Sequence, residues 1–152
     1  MRVRPAPGNE DQLAVSVWLR LLKAHGLLLR EVRRRVPPDL TLPQFDVLAQ
    51  LHRRPEGMTP GELTRELLVT AGNVTGIVAR LQVLGLVRRR RVPEDRRTVR
   101  LRLTPRGRRL MHEAIPRHRR ELGELFAPVD VPRLERLRDL LGDLSLSLES
   151  RA

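Results

Sequence analysis

Between Asn9 and Arg35 the apolar residues Leu13, Val17, Leu21, Leu28 and Val32 recur at spacings of three, four or their sum, and Ala14, Trp18, Leu22 and Leu29 widen the stripe. That period marks one face of a long α-helix. Arg33, Arg34 and Arg35 suit the negative end of its dipole, and Pro37-Pro38 stop it. Thr41-Leu42-Pro43-Gln44 and Thr59-Pro60-Gly61-Glu62 each fit a capping box that opens a shorter helix. The first of these carries Phe45, Leu48 and Leu51 to about Arg53. Pro55-Glu56-Gly57 is a turn, and the second helix buries Leu63, Leu67 and Leu68. Thr70 is the next candidate cap. From Ala71 to about Leu84, Val74, Ile77, Val78 and Leu81 share one helical face, while Ala71, Gly72, Asn73, Thr75, Gly76, Ala79 and Arg80 share the other. Gly85 falls at the expected stop.

The period then changes to two. Leu86-Val87 begins a strand that continues through Arg88–Arg91, Pro93-Glu94-Asp95 is the turn region, and Thr98, Val99, Leu101 and Leu103 return, alternating with Arg100 and Arg102. Thr104-Pro105 opens a long helix lined by Leu110, Met111, Ala114, Ile115, His118, Leu122 and Leu125, with a kink expected at Pro116. After a break at Ala127–Asp130, a last helix carries a seam of Leu134, Leu137, Leu140, Leu141, Leu144 and Leu148.

This order predicts a mainly α fold with a small β-hairpin wing. A winged helix-turn-helix lobe spans about 41–103, flanked by long N- and C-terminal helices over about 9–36 and 104–152, all in a single domain of residues 1–152. Residues 1–8, rich in proline, are expected to be flexible. The flanking helices carry more apolar stripe than so small a core can cover. A second copy of the chain is the economical partner, so these are expected to be dimerisation helices of a C2 homodimer.

Composition narrows the function. Residues 88–102 hold eight arginines against Glu94 and Asp95, which is half of the formal net charge of +12. Clustered basicity favours a polyanionic partner, and nucleic acid over a membrane surface. Trp18, Phe45 and Phe126 are the only aromatic residues, which counts against single-strand and RNA readers that stack bases on aromatic rings. Lys23 is the only lysine, an arginine bias that a GC-rich genome's codon usage explains.

The absence of cysteine excludes thiol chemistry by this chain. No apolar run approaches a membrane span and the N-terminus lacks an apolar signal core, so a cytoplasmic protein with no membrane partner is expected. His112 and His118 are six residues apart, off the spacing that puts two ligands on one helix face, and no metal or cofactor is expected. No Ser/His/Asp order, phosphate loop or metal motif stands out, so an enzyme is not expected. Gly72 and Gly76 each cost a helix about 1 kcal/mol relative to Ala. Close approach of another surface explains them, as does a poorly packed surface helix. A winged-helix module that binds protein rather than DNA is the rival reading, since fold does not fix function.

Leu63–Val87, LTRELLVTAGNVTGIVARLQVLGLV, resembles the helix-turn-helix of the MarR family of bacterial transcription regulators, and PEDRRTVRLRLTPRG at Pro93–Gly107 resembles that family's wing. The resemblance implies a homodimeric winged helix-turn-helix repressor, less often an activator, that binds a pseudo-palindromic operator in double-stranded DNA. The recognition helix would enter the major groove and a wing arginine the adjacent minor groove. Position by position, Thr70, Gly72, Asn73 and Thr75 match the start of the recognition helix, Asp95 and Arg96 the wing pair, and Arg97 follows them. Gly76 stands where many members have a basic or polar residue. Thr59 opens the preceding helix, where a phosphate contact is common in the family.

Physical chemistry divides the roles further. Asn73 and Thr75 can reach base edges or phosphates. Arg80 can meet phosphate or base, or pair with Asp95. Arg96 suits a narrow, negative minor groove. By strand alternation only about half of Arg88–Arg91 can face DNA, with Arg88 and Arg90 the chosen pair. The resemblance also implies a small anionic or phenolic effector in a pocket between the lobe and the dimer helices. Trp18, Leu22, His25, Phe45, His52 and Met111 are its candidates by helix face, each also explicable as a plain core residue.

Overall fold

A computed structural model describes residues 8–67, 71–92 and 95–151, with the side chains of 71, 92 and 95–97 left aside. Its elements are α1 (Asn9–Arg33), α2 (Leu42–Arg53), α3 (Pro60–Leu67), α4 (Ala71–Val83), β1 (Val87–Val92), β2 (Asp95–Leu103), α5 (Pro105–Phe126) and α6 (Val131–Glu149). The expected order of helices and hairpin is therefore present, and α5 continues through Pro116. The chain divides there into two compact units, 1–115 and 116–152.

In the first unit, α2, α3 and α4 pack on one another and on the hairpin. Phe45, Leu48 and Leu51 from α2, Leu63 from α3, Val74, Val78 and Leu81 from α4, and Leu101 from β2 are all sealed from solvent. These are the residues that the three-and-four spacing of the helices and the alternation of β2 place on inward faces, and truncating one such leucine to alanine costs about 2–5 kcal/mol. Both expected capping boxes form. Thr41 N–H donates to Gln44 Oε1 at 2.8 Å, and Thr59 N–H to Glu62 Oε2 at 2.7 Å. Of the residues expected at an effector pocket, Phe45 is 2% exposed and Met111 0%, both inside this core. Their helix faces point into the three-helix packing, which helical spacing alone cannot distinguish from a pocket wall.

β1 and β2 pair antiparallel, with Val87 opposite Leu103, Arg88 opposite Arg102, Arg89 opposite Leu101 and Arg90 opposite Arg100. Along the sheet Met58 adds a one-residue bridge to Leu101. A strand this short has no alternating pattern to reveal it. α1 contributes no buried residue, and Leu13, Val17, Trp18 and Leu19 are each more than half exposed.

The second unit has the end of α5 and all of α6, which Asp130 caps by accepting from Arg133 N–H at 3.0 Å. Leu140 and Leu148 are more than half exposed, and Leu137, Leu141 and Leu144 are two-fifths exposed or more. Among the described residues no helix is long and apolar enough to cross a membrane, and no group of three or more His, Cys, Asp or Glu side chains could hold a metal ion.

Candidate nucleic-acid interface

α4 buries Val74, Ile77, Val78 and Leu81 and leaves Gly72, Asn73, Thr75, Gly76, Ala79 and Arg80 exposed. A Cβ added at Gly72 or Gly76 would meet nothing within 4 Å, so neither glycine is required by packing inside the chain. The exposed face is small, polar and uncharged save for Arg80. Arg80 borders an open depression shared with Asp39, Gln44, Ala79, Val83 and Leu84. Thr70 lies outside the described residues.

α4 ends in a joint that fixes it to the wing and to α5. Gly85 takes a φ of 68°, the left-handed conformation that a helix stop needs and that glycine adopts without a Cβ penalty. Its carbonyl accepts from the Thr104 hydroxyl at 2.6 Å, and that same hydroxyl accepts from Gly107 N–H at 3.0 Å to cap α5. Thr104 N–H donates to the Leu86 carbonyl at 3.0 Å. One threonine thus holds the stop that follows α4, the root of β1 and the start of α5.

On the wing, Arg89, Arg90 and Arg91 are exposed. Arg88 shares a cross-strand pair with Arg102 and is half-buried, and its Nε has no hydrogen-bond partner among the described residues. Of the pair chosen by alternation, Arg90 is thus open to solvent and Arg88 is partly enclosed. Arg100 and Arg102 reach inward to the turn before α3. Asp95, Arg96 and Arg97 lie on β2, but their side chains are outside the described set, so a pairing of Arg80 with Asp95 is as well.

Thr59 opens α3 by accepting from Glu62 N–H at 3.1 Å, which leaves its hydroxyl proton available to a phosphate. The reciprocal bond from Thr59 N–H, helped by Arg100 3.7 Å away, holds the Glu62 carboxyl below the usual glutamate range although partial burial opposes it.

His52 lines a cavity of about 240 Å³ with Leu51, Pro55, Leu103, Arg108 and His112. Its walls are mostly apolar, and its polar groups are an arginine and two imidazoles with no carboxylate. Of the other residues expected at an effector pocket, Trp18, Leu22 and His25 are exposed on α1. The periodicity argument missed Arg108 and His112. Both belong to the polar side of α5, which sequence alone assigns to solvent.

Known proteins agree with this architecture. The MarR family's sequence model matches residues 39–98. The HTH-type transcriptional regulator PecS of Dickeya dadantii is 30% identical over 105 residues, 68% of this chain, which spans 63% of that protein, less than two thirds of its length. The solved MarR family transcriptional regulator from Silicibacter pomeroyi is 31% identical, with a TM-score of 0.77 over 93% of this chain and 99% of that one. CouR from Rhodococcus jostii RHA1, solved bound to p-coumaroyl-CoA, is 26% identical, with a TM-score of 0.77 over 87% of this chain and 93% of that one. With 31% identity over nearly the whole of the Silicibacter pomeroyi MarR regulator, and with helix, turn, helix and wing in the expected order, the chain belongs to the MarR family of winged helix-turn-helix transcription regulators.

Proposed function

We propose that this chain is a double-stranded DNA-binding repressor that acts as a homodimer on a pseudo-palindromic operator and is released by a small anionic ligand. The observation that carries the reading is the pairing of an exposed, small and polar α4 face with a wing whose Arg89, Arg90 and Arg91 are open to solvent. Small residues let a helix approach base edges, and exposed guanidinium groups neutralise phosphates. Asn73 and Thr75 are assigned to base edges or phosphates, Arg80, Arg90 and Thr59 to phosphate, and Arg96 to the minor groove. The apolar faces of α1 and α6, exposed in a single chain, support a second copy as the partner.

The cavity beside His52 supports the ligand. Arg108 with two imidazoles over an apolar floor complements an anion on a small hydrophobic body, and a ligand that preferred a conformer with mis-spaced recognition helices would release the operator. Gel shift and footprinting with the DNA flanking the chain's own gene test the reading. A protected two-fold site is expected, and no shift at low salt would overturn it. Four or five phosphate contacts per half-site give a slope of log affinity against log salt of roughly −7 to −9. On that operator Arg96→Ala is expected to cost about 1–3 kcal/mol, and unchanged binding would remove Arg96 from the minor groove.

A further inference from the structure

Two arginines of the wing bond to backbone carbonyls of the turn before α3. Arg100 donates from Nη1 to the Gly57 carbonyl at 2.8 Å and lies 3.7 Å from Glu62 Oε2. Arg102 donates from Nε to the Glu56 carbonyl at 2.7 Å. Between these bonds the backbones join directly. Met58 N–H donates to the Leu101 carbonyl at 3.0 Å, and Leu101 N–H to the Met58 carbonyl at 2.7 Å. The approach is so close that a Cβ on Gly57, whose φ is +88°, would lie 2.6 Å from both Leu101 O and Arg102 Cγ. Glu62 in turn caps α3 through Thr59 N–H. The turn before α3, the first turn of α3 and the middle of β2 are therefore one bonded unit.

We propose that Arg100 and Arg102 are positioning residues, a latch that sets the wing's angle against α3, and that they do not contact phosphate. Bonds of 2.7–2.8 Å to backbone carbonyls each take one of a guanidinium's five N–H donors, and they hold both side chains against the turn before α3. Turning Arg100 outward would also strip the carbonyl of Gly57, a buried residue, of this donor. Arg89, Arg90 and Arg91, which are exposed, are left to face the polyanion. The consequence for binding rests on the DNA-binding reading above, whereas the latch itself is a property of the free protein.

Two measurements separate these. In the free protein, amide hydrogen exchange at Met58 and Leu101 is expected to accelerate about tenfold in Arg100→Gln, with partial recovery in Arg100→Lys and no change in α4. Unchanged exchange at both amides would overturn the latch. Fluorescence anisotropy with a mixed-sequence DNA duplex then compares Arg100→Gln with Gly57→Ala, which alters no charge. Both are expected to weaken binding several-fold, and the double variant to be no weaker than the poorer single one. Harmless Gly57→Ala with a loss in Arg100→Gln, or additive losses, would show that Arg100 acts through its own charge and would overturn the positioning role. If the wild-type chain fails to bind any duplex, the DNA-binding reading falls, and the exchange data still decide the latch. They also decide it if Gly57→Ala fails to fold.

Discussion

Gly76 carries a testable conflict between stability and function. It sits in the second turn of α4 with open space where a side chain would be. Gly76→Ala should therefore stabilise the fold by about 0.5–1 kcal/mol through helix propensity alone, seen as a higher urea midpoint. If α4 lies against DNA, the same methyl group enters the contact and operator affinity falls. Equal or tighter DNA binding together with the gain in stability would show that nothing approaches this face. The conflict was legible in the sequence, because two glycines on one helical face are expensive unless something needs them. The inward use of Arg100 and Arg102 was not. Alternation says which face of a strand a residue takes, but not whether a turn 43 residues earlier in the chain packs on that face.

At the scale of elements, the helices and the hairpin were readable because each has its own punctuation: Thr41 and Thr59 as caps, Gly85 as a stop, and the change of period at Leu86. What the pattern could not supply was the one-residue bridge at Met58 and the bonds that make the Thr59–Glu62 cap part of the wing's support. That cap predicts a pH dependence. The Thr59 N–H bond and nearby Arg100 lower the Glu62 carboxyl, so its stabilising effect is complete above the ordinary glutamate value of about 4.3 and is lost as the pH falls below it, through the lowered value. Urea denaturation of wild type and Glu62→Gln should show wild type more stable at pH 6, with the gap closing toward pH 3. A gap that is constant across this range would mean that the carboxylate's charge contributes nothing to the cap.

Over the whole molecule, the charge is unevenly shared. Residues 116–152 contain seven arginines and seven carboxylates, so the net charge of +12 belongs to residues 1–115. The part of the chain that needs attraction to a polyanion has all of the excess, and α6, one of the two helices proposed to meet a second copy, lies in the neutral part, which spares its contact from self-repulsion. Sedimentation velocity is expected to find a dimer at micromolar concentration, shifted toward monomer by Leu144→Arg in α6 or Trp18→Arg in α1. A wild-type monomer under those conditions would leave both apolar faces in need of another partner. The histidine-lined cavity was half legible: His52 stood out by its helix face, but the placement of Arg108 and His112 beside it depends on how α5 meets the end of β2.

The threonine at that meeting point has a mechanical consequence. Because the Thr104 hydroxyl bonds both the Gly85 carbonyl and Gly107 N–H, the last turn of α4 and the first turn of α5 have no independent hinge between them. Arg108 and His112 lie one and two turns along α5 from that threonine. The ligand proposed above, lodged against them, would press on the short arm of a lever whose fulcrum is Thr104 and whose long arm is α4. A displacement too small to disturb the core would then be enlarged at the far end of α4, where fit to a groove is decided.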